Sequence, residues 1–171
     1  MLVSFYGKLP HHAEFLTSHN LPLWSKTITD WMIRGRGQLG EMILKQNHKR
    51  PSVYFFMIDG HDLPVQISGI FLASHDSRHR EFAFVLFHEY EKRSLMLIRD
   101  GCQDAIRQAS FDISLLADMN NGELLDGYED FLQRTEVPLN EGVWQSACYA
   151  PERLSSTQLN STLYRKLIMS S

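Results

Sequence analysis

Gly35-Arg36-Gly37-Gln38-Leu39-Gly40 matches G-x-G-x-x-G, a pattern whose backbone amides hold a dinucleotide pyrophosphate when it follows a strand and opens a helix. Here it lies well inside a helical pattern, and the preceding residues Thr29 to Arg34 do not read as a strand. The glycines are therefore read as packing devices, letting another element approach closely or ending the helix early. His75-Asp76-Ser77-Arg78-His79 sets two imidazoles four residues apart with a carboxylate between them. On a helix that spacing would put both histidines on one face, as in zincin metal sites. The run instead lies between two strand-like segments, and Arg78 and Arg80 oppose a divalent cation. A solvated polar loop is the plain reading; a small metal-dependent hydrolase using His75, Asp76 and His79 is the alternative. Nucleophilic chemistry has less to work with. There is no G-x-S-x-G elbow; Cys102 sits on an apolar helix stripe as a small buried hydrophobe, and Cys148 carries no motif. Glu89 and Glu91 flank Tyr90 and on a helix point to different faces, so paired-carboxylate chemistry is unsupported. No catalytic set, metal site or cofactor site is assembled, and the chain reads as a non-enzyme.

The elements that must position these residues follow from apolar periodicity. Leu2 to Tyr6 reads as a first strand, closed by Gly7-Lys8-Leu9-Pro10, where Gly permits positive φ and Pro fixes φ near −65°. From Pro22 to about Gln46, Trp24, Ile28, Trp31, Gly35, Leu39 and Met42 step by three and four, with Met32 and Ile43 widening the stripe. That spacing predicts an amphipathic helix with Pro22 in its first turn. Val53 to Ile58, Val65 to Ala73 and Phe82 to Phe87 are strand-like, the first pair separated by the turn signal Asp59-Gly60-His61-Asp62. Their short connections predict an antiparallel three-stranded meander. Leu95, Ile98, Cys102, Ala105 or Ile106, and Ala109 predict a helix from about Tyr90 to Ser110. After the Asn120-Asn121-Gly122 break, Leu124, Leu125, Tyr128, Phe131 and Leu132 predict another helix. Val137-Pro138 and Asn140-Glu141-Gly142 read as a loop. Leu159, Leu163 and Leu167 predict a last helix with Ser156 as N-cap. The expected fold is an α/β sandwich of the α+β type, a largely antiparallel sheet flanked by helices, over a single domain spanning residues 1–171. The order of strand, helix, meander and helices resembles profilin-like or longin-like sandwiches.

Charge and hydropathy exclude several classes. Seventeen Lys and Arg against twenty Asp and Glu give a net charge of −3, without the basic surplus of a nucleic-acid binder. No apolar run approaches the roughly 18 residues of a membrane span. The N-terminal residues lack the basic and long apolar regions of a signal peptide. Two cysteines are too few for a disulfide framework. These features lead to an expectation of a cytoplasmic protein with no nucleic-acid partner and no membrane insertion.

Two segments carry a family resemblance. Val3-Ser4-Phe5-Tyr6-Gly7-Lys8-Leu9-Pro10, followed by Glu14-Phe15, resembles the opening of the TagF (ImpM) family of type VI secretion-associated proteins. That family runs from a strand into F-Y-G-K-L-P, two variable residues and G-D-F. About sixty residues later it has a loop of the form S-x-D-x-x-G-R-x-F-P. This chain has Ser74-His75-Asp76-Ser77-Arg78-His79-Arg80-Glu81-Phe82-Ala83 at the corresponding place. Trp24 and Trp31 on a helix, then a strand introduced by Pro51, also match in kind. The resemblance is clear over residues 3–88 and looser beyond. Ala13-Glu14 stands in place of Gly-Asp, His79 in place of Gly, and Ala83 in place of Pro. Loss of Gly before Arg80 leads us to expect a different backbone path in that loop, because His takes positive φ at a cost.

The resemblance implies a regulator that represses assembly or firing of the type VI secretion apparatus after translation. In some members the domain is fused to a PppA-type phosphatase and linked to the forkhead-associated scaffold Fha; this chain has no room for the phosphatase and looks like a stand-alone TagF domain. An Fha-like scaffold is the partner this implies; an adaptor promoting assembly is a further alternative. The family-motif residues Tyr6, Gly7, Lys8, Leu9, Pro10, Phe15, Ser74, Asp76, Arg80 and Phe82 become the candidates for partner binding. If the two motifs meet at one end of the sheet, Asp76 and Arg80 would pair to order the loop, or Lys8 and Arg80 would face an acidic partner. Otherwise both are structural turns.

Overall fold

Val53–Ile58 is apolar at all six positions, and all six are buried. Alternate residues of a strand face opposite sides, so such a run needs cover on both faces. The computed structural model, which describes residues 2–19, 21–40, 52–60, 63–91, 95–147, 153–155 and 158–169, supplies it. Its elements are β1 (Ser4–Gly7), β2 (Leu16–Thr17), α1 (Ser25–Leu39), β3 (Val53–Ile58), β4 (Ile67–Leu72), β5 (Phe84–Glu89) and α2 (Leu95–Gln108). A short 3₁₀ turn (Ile113–Leu115), α3 (Asn121–Arg134), β6 (Gly142–Ser146), β7 (Arg153–Ser155) and α4 (Ser161–Met169) follow. The strands form one antiparallel sheet in the order β2-β1-β5-β4-β3-β6-β7. On one face Val53, Phe55, Met57, Phe84 and Leu86 pack with Ile98, Cys102, Leu125, Tyr128 and Phe131 of α2 and α3. On the other, Tyr54, Phe56, Phe71 and Trp144 pack with Trp31 and Met32 of α1 and Tyr164 and Leu167 of α4. The expected α+β sandwich is the observed fold. No helix of the described residues is long and apolar enough to cross a membrane.

The β3-β4-β5 meander forms as predicted, with Phe55 opposite Ile70 and Ile70 opposite Leu86. Several boundaries shift. Pro22 lies before α1, in a turn whose carbonyl accepts from the Ser25 amide at 3.0 Å. At the other end the described helix closes at Leu39 with Gly40 at φ 51°; Met42, Ile43 and Gln46 lie outside the described residues, as do His61 and Asp62 of the predicted turn. Tyr90 does not begin α2: its amide donates to the Gln66 carbonyl at 2.9 Å and prolongs the sheet. The loop expectation at Gly142 is corrected, since Gly142–Ser146 is a strand registered on β3. Ser156 lies outside the described residues; Asn160 caps α4, its side-chain oxygen accepting from the Leu163 amide at 2.9 Å.

Of the glycines in the G-x-G-x-x-G run, Gly35 faces α4. A Cβ on it would lie 2.4 Å from Tyr164 Cγ, so glycine permits the α1–α4 approach, whereas a Cβ on Gly37 would meet nothing within 4 Å. The packing reading of the motif therefore holds. Gly35→Ala should lower stability by about 2 kcal/mol, because overpacking outweighs alanine's helix preference. Gly37→Ala should raise it by up to about 1 kcal/mol. Urea unfolding of the two variants checks the pair; equal effects would contradict the packing.

Candidate functional site

The site begins where β1 must stop. Gly7 has φ 134°, and a Cβ there would fall 2.1 Å from the Ala83 carbonyl oxygen, so only glycine allows β1 to close against β5. The turn that follows carries Lys8 inward, where its Nζ donates to Asp76 Oδ2 at 3.0 Å. Asp76, on the β4–β5 connection, has no exposed surface. Its Oδ2 also accepts from Arg80 Nε at 2.6 Å, and its Oδ1 accepts from the Arg78 and Arg80 amides, each at 2.9 Å. Burial alone would push this carboxyl up. The Arg80 amide, the Lys8 ammonium, the Arg80 guanidinium and the Arg78 amide outweigh burial and hold it well below the usual carboxylate range. Arg80 further donates to the Ala13 carbonyl at 2.7 Å, and the Ser77 amide donates to the His12 carbonyl at 2.9 Å. The two family-motif segments are thus tied together at one end of the sheet, around one carboxylate and two cations.

The loop was expected to change path because His79 stands where glycine is usual. His79 instead has φ 60°, the left-handed region that glycine enters freely, so the turn has a conformation suited to glycine and His79 bears a cost of about 1 kcal/mol. Its ring lies 5.4 Å from that of His75. The two imidazoles do not form a metal site with Asp76, whose oxygens are taken up by N–H donors. Among the described residues no group of three or more His, Cys, Asp or Glu is placed to hold a metal ion.

Beside this node lies an open cleft of about 720 Å³ between the loop and α1. Tyr6, Phe15 and Phe82 form its aromatic floor: Phe15 stacks on Tyr6 at 5.6 Å and meets Phe82 edge-on at 4.8 Å. Burial, with a smaller effect from the Asp30 carboxylate, raises the Tyr6 hydroxyl above its ordinary value and keeps it protonated. Lys8 Nζ sits 4.8 Å from the Phe15 ring centroid, adding a cation–π contact. Phe15 is nevertheless 45% exposed. Leu9 is placed elsewhere, buried in the core against the α2–α3 layer, and Ser74 is buried within the loop base. Pro10 is half-buried and follows the inward-turned Lys8-Leu9 pair.

The opposite wall of the cleft is Ile33, Arg36 and Gly37 of α1, which motif reading overlooked. Arg36 Nε donates to the Glu81 carbonyl at 2.8 Å and so braces the loop from the helix side. The available signal was spacing: positions 33, 36 and 37 flank the buried stripe of Ile28, Trp31, Met32, Gly35 and Leu39.

The chain is thus a mixed sheet-and-helix domain in which two tied loops and α1 enclose a cleft with a cationic rim and an aromatic floor. The chain matches the family model described as TagF N-terminal domain, type VI secretion system-associated, over residues 4–134, and it belongs to that family. It has an accessory role associated with type VI secretion. Among solved structures, its fold is similar to that of PA0076 from Pseudomonas aeruginosa PAO1, with a TM-score of 0.59 over 99% of this chain and 94% of that one, at 14% identity. Nothing among curated proteins matches.

Proposed function

We propose that this chain is a cytoplasmic, post-translational repressor of the type VI secretion apparatus, acting by binding a system component and holding it inactive. The partner is an Fha-like forkhead-associated scaffold or another component of the system, and the mode of action is occlusion or sequestration without covalent chemistry. The observation that carries this reading is the Lys8–Asp76–Arg80 node. It spends a buried carboxylate and four hydrogen bonds on fixing two loops, and those loops present Phe15, Arg78 and His79 to solvent. Preorganisation of this kind lowers the entropy cost of binding a protein surface.

Deleting the gene and measuring secreted substrate tests the proposal. Loss of a repressor raises secretion above wild type, whereas loss of an assembly-promoting adaptor abolishes it, and the second result would overturn the reading. Stoichiometric zinc or another transition metal in the purified protein would instead favour the hydrolase alternative.

A further inference from the structure

The cleft beside the node reverses the sign of the chain. Overall the protein carries a net charge of −3, yet Lys8, Arg36, Arg78 and Arg80 all line this one depression. Among the described residues, the carboxylates against them are Asp76 beneath, Glu81 on the wall and, acting on Tyr6, Asp30, which is paired with Lys26. Lys8 and Arg80 share the Asp76 carboxylate. Arg36 donates to the Glu81 and Gly40 carbonyls, which neutralise no charge. Arg78 is exposed, and its side chain has no ion-pair or hydrogen-bond partner among the described residues.

Between these cations the floor is apolar. Phe15 and Ile33 are 45% and 50% exposed, and Gly37 leaves open space where a side chain would stand. An inorganic anion would use the rim and waste the floor. A purely apolar ligand would leave two guanidinium groups unmatched. A nucleic acid would need a wider cationic surface than one cleft on an acidic chain.

We infer that the cleft binds an acidic segment of a partner protein, seating an apolar side chain on Phe15, Tyr6 and Phe82 and flanking carboxylates on Arg36 and Arg78. This rests on the reading above that the loop face meets a partner, and it names the chemistry that the face accepts. Arginine suits this role because its planar fork pairs a carboxylate in two-point fashion while its neighbours pack on aromatic carbon.

The test is an anisotropy titration of the full chain with a labelled synthetic peptide of alternating Asp and Phe, beside the same peptide with Asn for Asp. The Asp peptide should bind, and its affinity should fall about tenfold between about 50 and about 300 mM salt. Arg78→Glu should weaken it about tenfold, by reversing one rim charge. Gly37→Glu should abolish it, because a Cβ there meets nothing within 4 Å, so the helix accepts the change, while the new carboxylate competes for the rim cations. Equal binding of the Asn peptide, an unaltered affinity in Gly37→Glu, or binding of inorganic phosphate with no binding of the peptide would overturn the inference. A strain carrying Gly37→Glu separates this from the function proposed above. Peptide affinity lost while secretion stays repressed upholds the ligand class and removes the cleft from repression.

Discussion

Replacing Asp76 by Ala should destabilise the protein by about 3 kcal/mol, the usual cost of removing one partner from a buried charged cluster. The reason is what stays behind. Lys8, only 7% exposed, would keep its ammonium beneath the loop with its carboxylate gone, and the Arg78 and Arg80 amides would lose their acceptor. The Arg80 pair contributes less, since half of that side chain is in water. In a domain of this size the loss should lower the melting temperature by about 10 °C. Asp76→Asn should recover only part of it: one amide oxygen can still accept from the two backbone amides, but its NH₂ faces Lys8 and Arg80. Lys8→Met in the Asp76→Ala background should cost less than the sum of the single changes, because the stranded ammonium is removed. Urea unfolding of the wild type, Asp76→Ala, Lys8→Met and the double variant checks this; strict additivity would show that Lys8 and Asp76 are not coupled.

A second large effect is expected from pH. His88 lies in β5, buried between the sheet and α3, with Nε2 2.7 Å from Tyr128 Oη and Nδ1 2.7 Å from the Glu89 carbonyl oxygen. Tyr128 Oη is in turn 2.7 Å from Ser68 Oγ, which donates to the Phe56 carbonyl at 2.6 Å. Burial pulls the imidazole down to about 4 from its ordinary 6.5, against a smaller upward effect of the Glu89 carbonyl. The unfolded chain therefore binds this proton more readily than the folded one. The His88 contribution is fully present above pH 6.5 and is lost as pH falls toward 4, by about 3 kcal/mol in all. Asp76 acts in a separate window. Its carboxyl is held below the ordinary 3.8, so its contribution persists above that pH and is lost only further down. His88→Gln should flatten the stability profile between pH 6.5 and 4 while leaving the decline at lower pH. An unchanged slope in that variant would show that His88 is not the titrating group.

His88 also shows how a site can be hidden in a sequence. It occupies an inward position after Phe84 and Leu86, where alternation alone predicts an apolar residue. Nothing in the local letters announces that Tyr128, forty residues later, will supply its partner. The meander, by contrast, was legible because three runs rich in large apolar residues with short links leave few ways to pair. β6 escaped because Gly-Val-Trp-Gln-Ser carries only two large apolar residues, and its strand character comes from registering on β3. Around the node, the Phe-Tyr-Gly-Lys-Leu-Pro turn and the Asp76–Arg80 loop could be marked as partners from their motifs. The wall contributed by α1 could not, since Arg36 and Gly37 sat within a pattern whose familiar meaning concerns nucleotides. His79 at φ 60° is a related case: its residue type argued against a left-handed turn that the surrounding hydrogen bonds nonetheless impose.

The central claim, that this domain restrains type VI secretion by binding one of its components, is tested most directly by affinity capture. The tagged protein would be recovered from a lysate of its native cells and its companions identified by mass spectrometry. The account predicts recovery of an Fha-like scaffold or another component of the secretion apparatus. Capture of no such component, under conditions that preserve known complexes, would contradict it.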